Sequence, residues 1–142
     1  MTGMGRYIAA TLAILGTVAL TVASMAWSSC WGTPTTDACL AASDANVGMT
    51  AAAVLWLVAV LVAGLGLFAA RYRTGSALAV ALLVVVNPIT DPGFFWAFDS
   101  ADATPGRGVI GALAILASAV ILAIAGHART GSTVSPRVVE HA

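Results

Sequence analysis

Asn87-Pro88-Ile89-Thr90-Asp91-Pro92-Gly93-Phe94-Phe95-Trp96-Ala97-Phe98 follows directly on an apolar run, and its reading decides whether that run counts as a membrane span. Pro88 and Pro92 each lack a backbone N–H, and each pushes the residue before it, Asn87 and Asp91, away from the α region. A helix arriving from Ala77 is therefore expected to kink or stop here. Phe94, Phe95, Trp96 and Phe98 form the densest aromatic cluster in the chain, of the kind that sits at a membrane–water interface. A run that ended at Asn87 would be too short to cross a bilayer. The expectation is either local bilayer thinning or a kinked continuation that carries Asp91 toward the outer interface.

Composition points the same way. Of 142 residues, 60% are hydrophobic and only 8% charged, against about 25% charged in an ordinary soluble domain. With a mean hydropathy of +0.97, the expected solvent is mostly lipid. Formal net charge is zero and all six cations are arginine, so nothing in the charge balance suits nucleic acid, whose binding rests on neutralising many phosphates. The absence of lysine beside abundant Ala, Val and Gly suggests a GC-rich bacterial genome.

Four apolar stretches, at about 7–27, 50–70, 75–90 and 109–126, are each read as a span. Crossing the hydrocarbon core takes roughly 20 residues, with a range of about 17–25, and helices are expected because lipid offers backbone groups no partners. The fold class is thus all-α: a polytopic four-transmembrane-helix bundle with short loops over residues 1–127, followed by a disordered cytoplasmic tail over 128–142.

Arginine sets the expected orientation. Arg6 precedes the first span, Arg71 and Arg73 separate the second from the third, and Arg129 and Arg137 follow the fourth. The other two connections hold Asp37, Asp44, Asp91, Asp99 and Asp102 with only Arg107. The positive-inside bias places both termini in the cytoplasm and the acidic loops outside. A signal peptide cleaved after Ser24-Met25-Ala26 is the alternative for the first segment, but its apolar part exceeds the about 7–15 residues of an h-region. Gly5, Ala9, Ala13, Thr17 and Thr21 also recur every fourth position, a smooth ridge for helix contact that a discarded signal would not need.

Trp27 and Trp31 read as interfacial anchors at the outer end of the first span. Cys30 and Cys39, the only cysteines, lie in a loop exposed to an oxidising compartment and are expected to form a disulfide. Trp27, Cys30 and Cys39 in a first outer loop resemble the claudin loop signature. The Gly-Leu-Trp element of that family is absent and the loop is too short for its extracellular sheet, so no activity is carried over. The single Asn87-Pro88 is similar to the half-helix ends of water channels, but the second copy that such a fold requires is missing.

Small residues recur in the other spans, in Ala59-x-x-x-Ala63, Gly66-x-x-x-Ala70, Ala114-x-x-x-Ser118 and Ala119-x-x-x-Ala123. Trp56 reads as a further interfacial anchor, residues 43–50 as a polar turn in which Asp44 or Asn46 caps the second helix, and Arg71-Tyr72-Arg73-Thr74-Gly75 as a basic turn closing a hairpin. Asp91 at membrane depth would need a partner, for which Arg107 is the nearby opposite charge; the plainer reading is a turn cap at the surface. Asp91, Asp99 and Asp102 could offer oxygen ligands to a hard cation, but they lack EF-hand spacing and read as a solvated loop.

No Ser-His or Cys-His pair, phosphate loop or intramembrane histidine is visible, so no catalytic residue, cofactor or metal site is assigned. The expected role is a non-catalytic accessory or structural subunit, packed on other membrane proteins through the outer segment. Asn87, Pro88, Asp91, Phe94, Phe95, Trp96, Phe98 and Arg107 are the candidates for partner binding or gating. A self-associating pore, a holin-like protein or a small transporter is the alternative. Partners are membrane lipid and other subunits or copies of the chain itself, and the expected location is the bacterial plasma membrane.

Overall fold

A computed structural model describes residues 3–30, 37–45, 47–90 and 108–128. Among them the fold is all-α with no strand. The helices are α1 (Gly3–Ala26), α2 (Asp37–Ala45), α3 (Val47–Leu65), α4 (Arg73–Thr90) and α5 (Val109–Ala128), with 3-10 turns at Ser28–Cys30 and Gly66–Phe68. The polar residues read as a turn ahead of the second span are instead helical as far as Ala45, and Asn46 lies outside the described residues.

The four long helices pack in a ring in which α1 touches α3 and α5, α4 touches the same two, and α3 meets α5 across the middle. Antiparallel order follows from the contacts. Trp56 meets Leu83 near one end of the α3–α4 pair, and Gly66 meets Ser76 near the other. Along α4 and α5, Ala79 lies beside Ser118 and Gly75 beside Ala125. Gly5 abuts Tyr72, so the start of α1, the α3–α4 turn and the end of α5 share one end of the bundle.

Small side chains fill the interior. Ala19, Ala59, Ala63, Ala79, Ala112, Ala114 and Ala119 are buried around Ile8, Leu12, Leu83, Ile115 and Leu122. Backbones therefore approach closely, as they do where packing rather than water exclusion holds helices together. A Cβ on Gly16 would come within 2.7 Å of Leu116 Cγ, and one on Gly75 within 2.8 Å of Ala125 Cβ. Large apolar side chains point the other way: Ile14, Leu57, Leu61, Phe68, Leu78, Leu113 and Ile124 are all exposed.

On α1 the buried row is Gly5, Ile8, Leu12, Gly16, Ala19 and Ala23, which corrects the expected ridge. Ala9 and Ala13 only flank it, while Thr17 and Thr21 face outward and donate to the carbonyls of Ala13 and Thr17, each at 2.8 Å. The rows on α3 and α5 hold for Ala59, Ala63, Gly66, Ala114, Ser118 and Ala119, whereas Ala70 is exposed and Ala123 partly so.

Of the alternatives expected at Asn87-Pro88, a stop or a continued helix, the second is found. α4 continues through Asn87-Pro88 to Thr90. Its 18 residues span about 27 Å at the usual rise, close to the roughly 30 Å of a hydrocarbon core. Pro88 still removes the N–H that would have reached the Val84 carbonyl.

Two local devices close the ends. After the 3-10 turn at Gly66–Phe68 the chain extends at Ala69, whose carbonyl accepts from Tyr72 N at 2.9 Å and Arg73 N at 3.1 Å. Arg73 Nε donates to the Leu67 carbonyl at 3.3 Å, satisfying an acceptor that the helix end leaves open. Gly108, at φ 86°, turns the chain into α5, and its carbonyl takes Ala112 N at 3.0 Å. That left-handed φ suits glycine and strains any other residue.

Candidate functional site

The end of the bundle formed by the α1–α2 connection is built around sulfur. The Ser28–Cys30 turn continues from α1 through Trp27 N to Ala23 O at 3.1 Å and Cys30 N to Trp27 O at 2.9 Å. Asp37 lies in the first turn of α2, where a carboxylate complements the positive helix end. Cys39 follows, and the two cysteines form a disulfide with Cα atoms 4.8 Å apart. Ser29 Oγ donates to the Ala38 carbonyl at 3.4 Å across the same junction. Trp27 is 4% exposed and packs with the two cysteines into a separate buried cluster. Its expected role as an interfacial anchor is therefore corrected: the indole covers the disulfide. Trp31 lies outside the described residues.

Trp56 is also corrected. Rather than reaching an interface it is 9% exposed, and its Nε1–H donates to the Leu83 carbonyl of α4 at 3.1 Å. A buried indole normally finds such a partner, because an unpaired N–H in an apolar setting is costly. The bond ties α3 to α4 one residue before Val84, the carbonyl that loses its helical donor to Pro88.

At the opposite end Tyr72, 2% exposed, abuts Gly5, where any Cβ would overlap its ring. The Arg71 guanidinium carbon sits 6.0 Å from the Tyr72 ring centroid, within reach of a cation–π attraction. Ser76, fully buried, abuts Gly66 so closely that a Cβ there would overlap its Oγ. That hydroxyl has no hydrogen-bond partner among the described residues. Ser118, also fully buried, donates to its own helix at Ala114 O, 2.8 Å away.

Of the sequence candidates, Asn87 and Pro88 lie on the last turns of α4. Asp91, Phe94, Phe95, Trp96, Phe98 and Arg107 lie outside the described residues, as do Asp99, Asp102 and the tail from 129. Among the described residues no group of three or more His, Cys, Asp or Glu could hold a metal ion. Sequence reasoning missed Tyr72 and Ser76. Their partners, Gly5 and Gly66, stand 67 and 10 residues away in the numbering, and no local pattern marks such pairs.

Comparison with protein-family models, with curated proteins and with solved structures finds no significant match to this chain.

Proposed function

We propose that the chain is a multi-pass protein of the bacterial plasma membrane in which α1, α3, α4 and α5 all cross the bilayer, acting without catalysis as an accessory subunit of a larger membrane assembly. One observation carries the membrane reading: alanine, glycine and serine make up much of the interior, around a few large side chains such as Leu12, Leu83 and Ile115, while many large aliphatic side chains face outward. α1 and α5 are long and apolar enough to cross a membrane, yet only 28% and 39% of their apolar windows are buried. The core helix of a water-soluble protein would be mostly covered, and a helix apolar all round belongs in a core or a membrane. α3 and α4, whose apolar parts at Ala53–Phe68 and Arg73–Val86 are shorter, carry the same outward Leu57, Leu61, Leu78 and Val85. Packed against the longer helices, they complete four spans.

Sidedness rests on the ends of the bundle. Arg6, Arg71 and Arg73 gather at one end, which favours the cytoplasm. The Cys30–Cys39 disulfide lies at the other, which favours an oxidising compartment. The accessory role rests on the absence of a catalytic constellation in the sequence and on the aromatic segment Phe94 to Phe98, which follows α4 in the sequence.

Alkaline carbonate washing of membranes checks the spans, and release of the chain would refute them. Gentle extraction through a tag on the C-terminal tail, followed by mass spectrometry, checks the role. Stoichiometric recovery of other membrane subunits, lost when Phe94, Phe95 and Trp96 are changed to alanine, is expected. Recovery of a monodisperse monomer from native membranes would overturn it.

A second reading, a self-assembled pore, draws on the line of hydroxyls from Thr17 and Thr21 through Ser24 to Ser28 along a groove on the outer side of α1. Copies meeting along that face would surround a more polar path. Liposome leakage by purified oligomers, abolished by Thr21→Leu, would favour this reading over the first.

A further inference from the structure

We infer that the groove between α4 and α5 beside Arg71 holds one anionic glycerophospholipid of the leaflet at the arginine-rich end, with the phosphodiester at Arg71 and Thr74 and an acyl chain against Leu78, Ile121 and Ile124. The inference rests on the membrane-spanning reading above. The groove measures about 330 Å³ and is lined by Arg71, Thr74, Gly75, Leu78, Ile121, Ile124 and Ala125.

Its lining changes character along one direction. Arg71 stands at the turn that ends the bundle. Thr74 lies in the first turn of α4 and Leu78 one turn further on, so these two share a side of that helix. Cation, hydroxyl and aliphatic walls thus succeed one another along the groove, the order of polarity along an anionic phospholipid from phosphate to acyl chain. Gly75 sets the groove's depth: its Cα packs on Ala125 so closely that a Cβ would come within 2.8 Å of the alanine methyl. The two backbones therefore meet at the groove floor, while Leu78 and Ile124 rise on its rims, both exposed.

Arg71 is positioned rather than free to sweep. It is half-buried and held over the Tyr72 ring, which is itself fixed against Gly5. Arg71 lines the groove from there, and a guanidinium offers phosphate oxygens several N–H donors and a fixed charge. Charge favours an anionic over a zwitterionic lipid. Arg6 and Arg73 add positive potential at this end, and the described acids, Asp37 and Asp44, both lie on α2 at the far end. A second groove, between α3 and α4, supplies the contrast: Val58, Leu61, Leu65, Phe68 and Val80 line it with no charged group, so it suits any acyl chain and selects no headgroup.

The test is native mass spectrometry of the full chain from nanodiscs containing equal phosphatidylglycerol and phosphatidylcholine. The wild-type chain should retain phosphatidylglycerol in preference, roughly fivefold, the effect of one basic residue near an anionic headgroup. Arg71→Gln should abolish the preference by removing the charge. Ile124→Trp should lower retention of the lipid by filling the groove with the charge intact. Arg6→Gln, outside the groove, should keep retention of the lipid and reduce the preference far less than Arg71→Gln does. Equal retention of the two lipids by the wild-type chain would overturn the inference, as would wild-type behaviour of both Arg71→Gln and Ile124→Trp. Carbonate washing of the same membranes separates the two ideas: a chain that stays in the membrane without lipid preference refutes the groove assignment alone, whereas a released chain refutes the spans.

Discussion

At the scale of single residues, the interior is governed by what a hydrogen or a hydroxyl leaves room for. Gly66→Ala puts a Cβ onto Ser76 Oγ, and overpacking of that kind is expected to destabilise by about 1–3 kcal/mol. Ser76→Ala alone should be close to neutral, because the hydroxyl it removes has no partner among the described residues. The double variant should recover about 1 kcal/mol of the loss, but not all of it, since Ser76 Cβ would still lie 3.1 Å from the new methyl. Reversible unfolding in mixed micelles measures all three, and strict additivity of the two changes would refute the contact. Trp56 supports a second prediction by the same measurement. Trp56→Phe loses the bond to Leu83 O and should cost about 1 kcal/mol, whereas Trp56→Ala also opens a void and should cost about 3–5 kcal/mol. A Trp56→Phe variant as stable as the wild-type chain would mean that the N–H contributes nothing. The burial of Ala59 and Ala63 was legible because residues four apart share a helix face. The direction of Trp56 was not, since an indole suits an interface and an interior equally, and only the rotation of α3 against α4 decides between them.

At the scale of elements, the apolar runs announced the helices, and their rotations needed the neighbours. The row Gly5, Ala9, Ala13, Thr17, Thr21 looked like a contact ridge, but each four-residue step overshoots a full turn by about 40°. Over five positions such a row winds off the buried face, which mixes steps of three and four through Gly5, Ile8, Leu12, Gly16 and Ala19. Pro88 left a stop and a continuation both open for a related reason. Pro88 sits two residues from the end of α4, so it removes one helical bond near a terminus, and the cost of a proline falls where few turns remain to be disrupted. α2 was missed because Asp37 to Ala45 is only nine residues long, too short for its periodicity to stand out, and its helix is held by Cys39 through the bond to Cys30. The third prediction belongs to this element. Replacing both cysteines by alanine should lower stability by about 2–3 kcal/mol through the freed loop and should expose Trp27, which a red-shifted emission in a variant keeping only that tryptophan would register. Peptide mapping without reductant should recover Cys30 linked to Cys39, and finding both thiols free would refute the bond.

At the scale of the whole molecule, the decisive question is whether α1 belongs to the finished bundle or is a leader that is removed. A leader needs only an apolar surface for its brief passage, and it shares no side chains with the protein it precedes. α1 does share them. Ile8, Leu12 and Ala19 are part of the same buried cluster as Ala59, Ala63 and Ile115, Gly16 lies against Leu116, and Gly5 receives the ring of Tyr72. Removing residues 1–26 would uncover faces of both α3 and α5 whose alanines are shaped to meet a helix and not lipid tails, and would leave Tyr72 without the glycine it rests on. It would also detach Trp27 and the Cys30 turn from the helix that carries them. The fourth prediction is therefore that the mature chain keeps α1: intact-mass measurement of protein purified from membranes should give the mass of the chain with α1 present. A product beginning at Trp27 would overturn it. The corresponding truncation, expressed on its own, should fail to yield a monodisperse species in detergent, and co-expression with a separate segment covering residues 1–26 should restore one if the packing of α1 against α3 and α5 is what the rest of the bundle lacks.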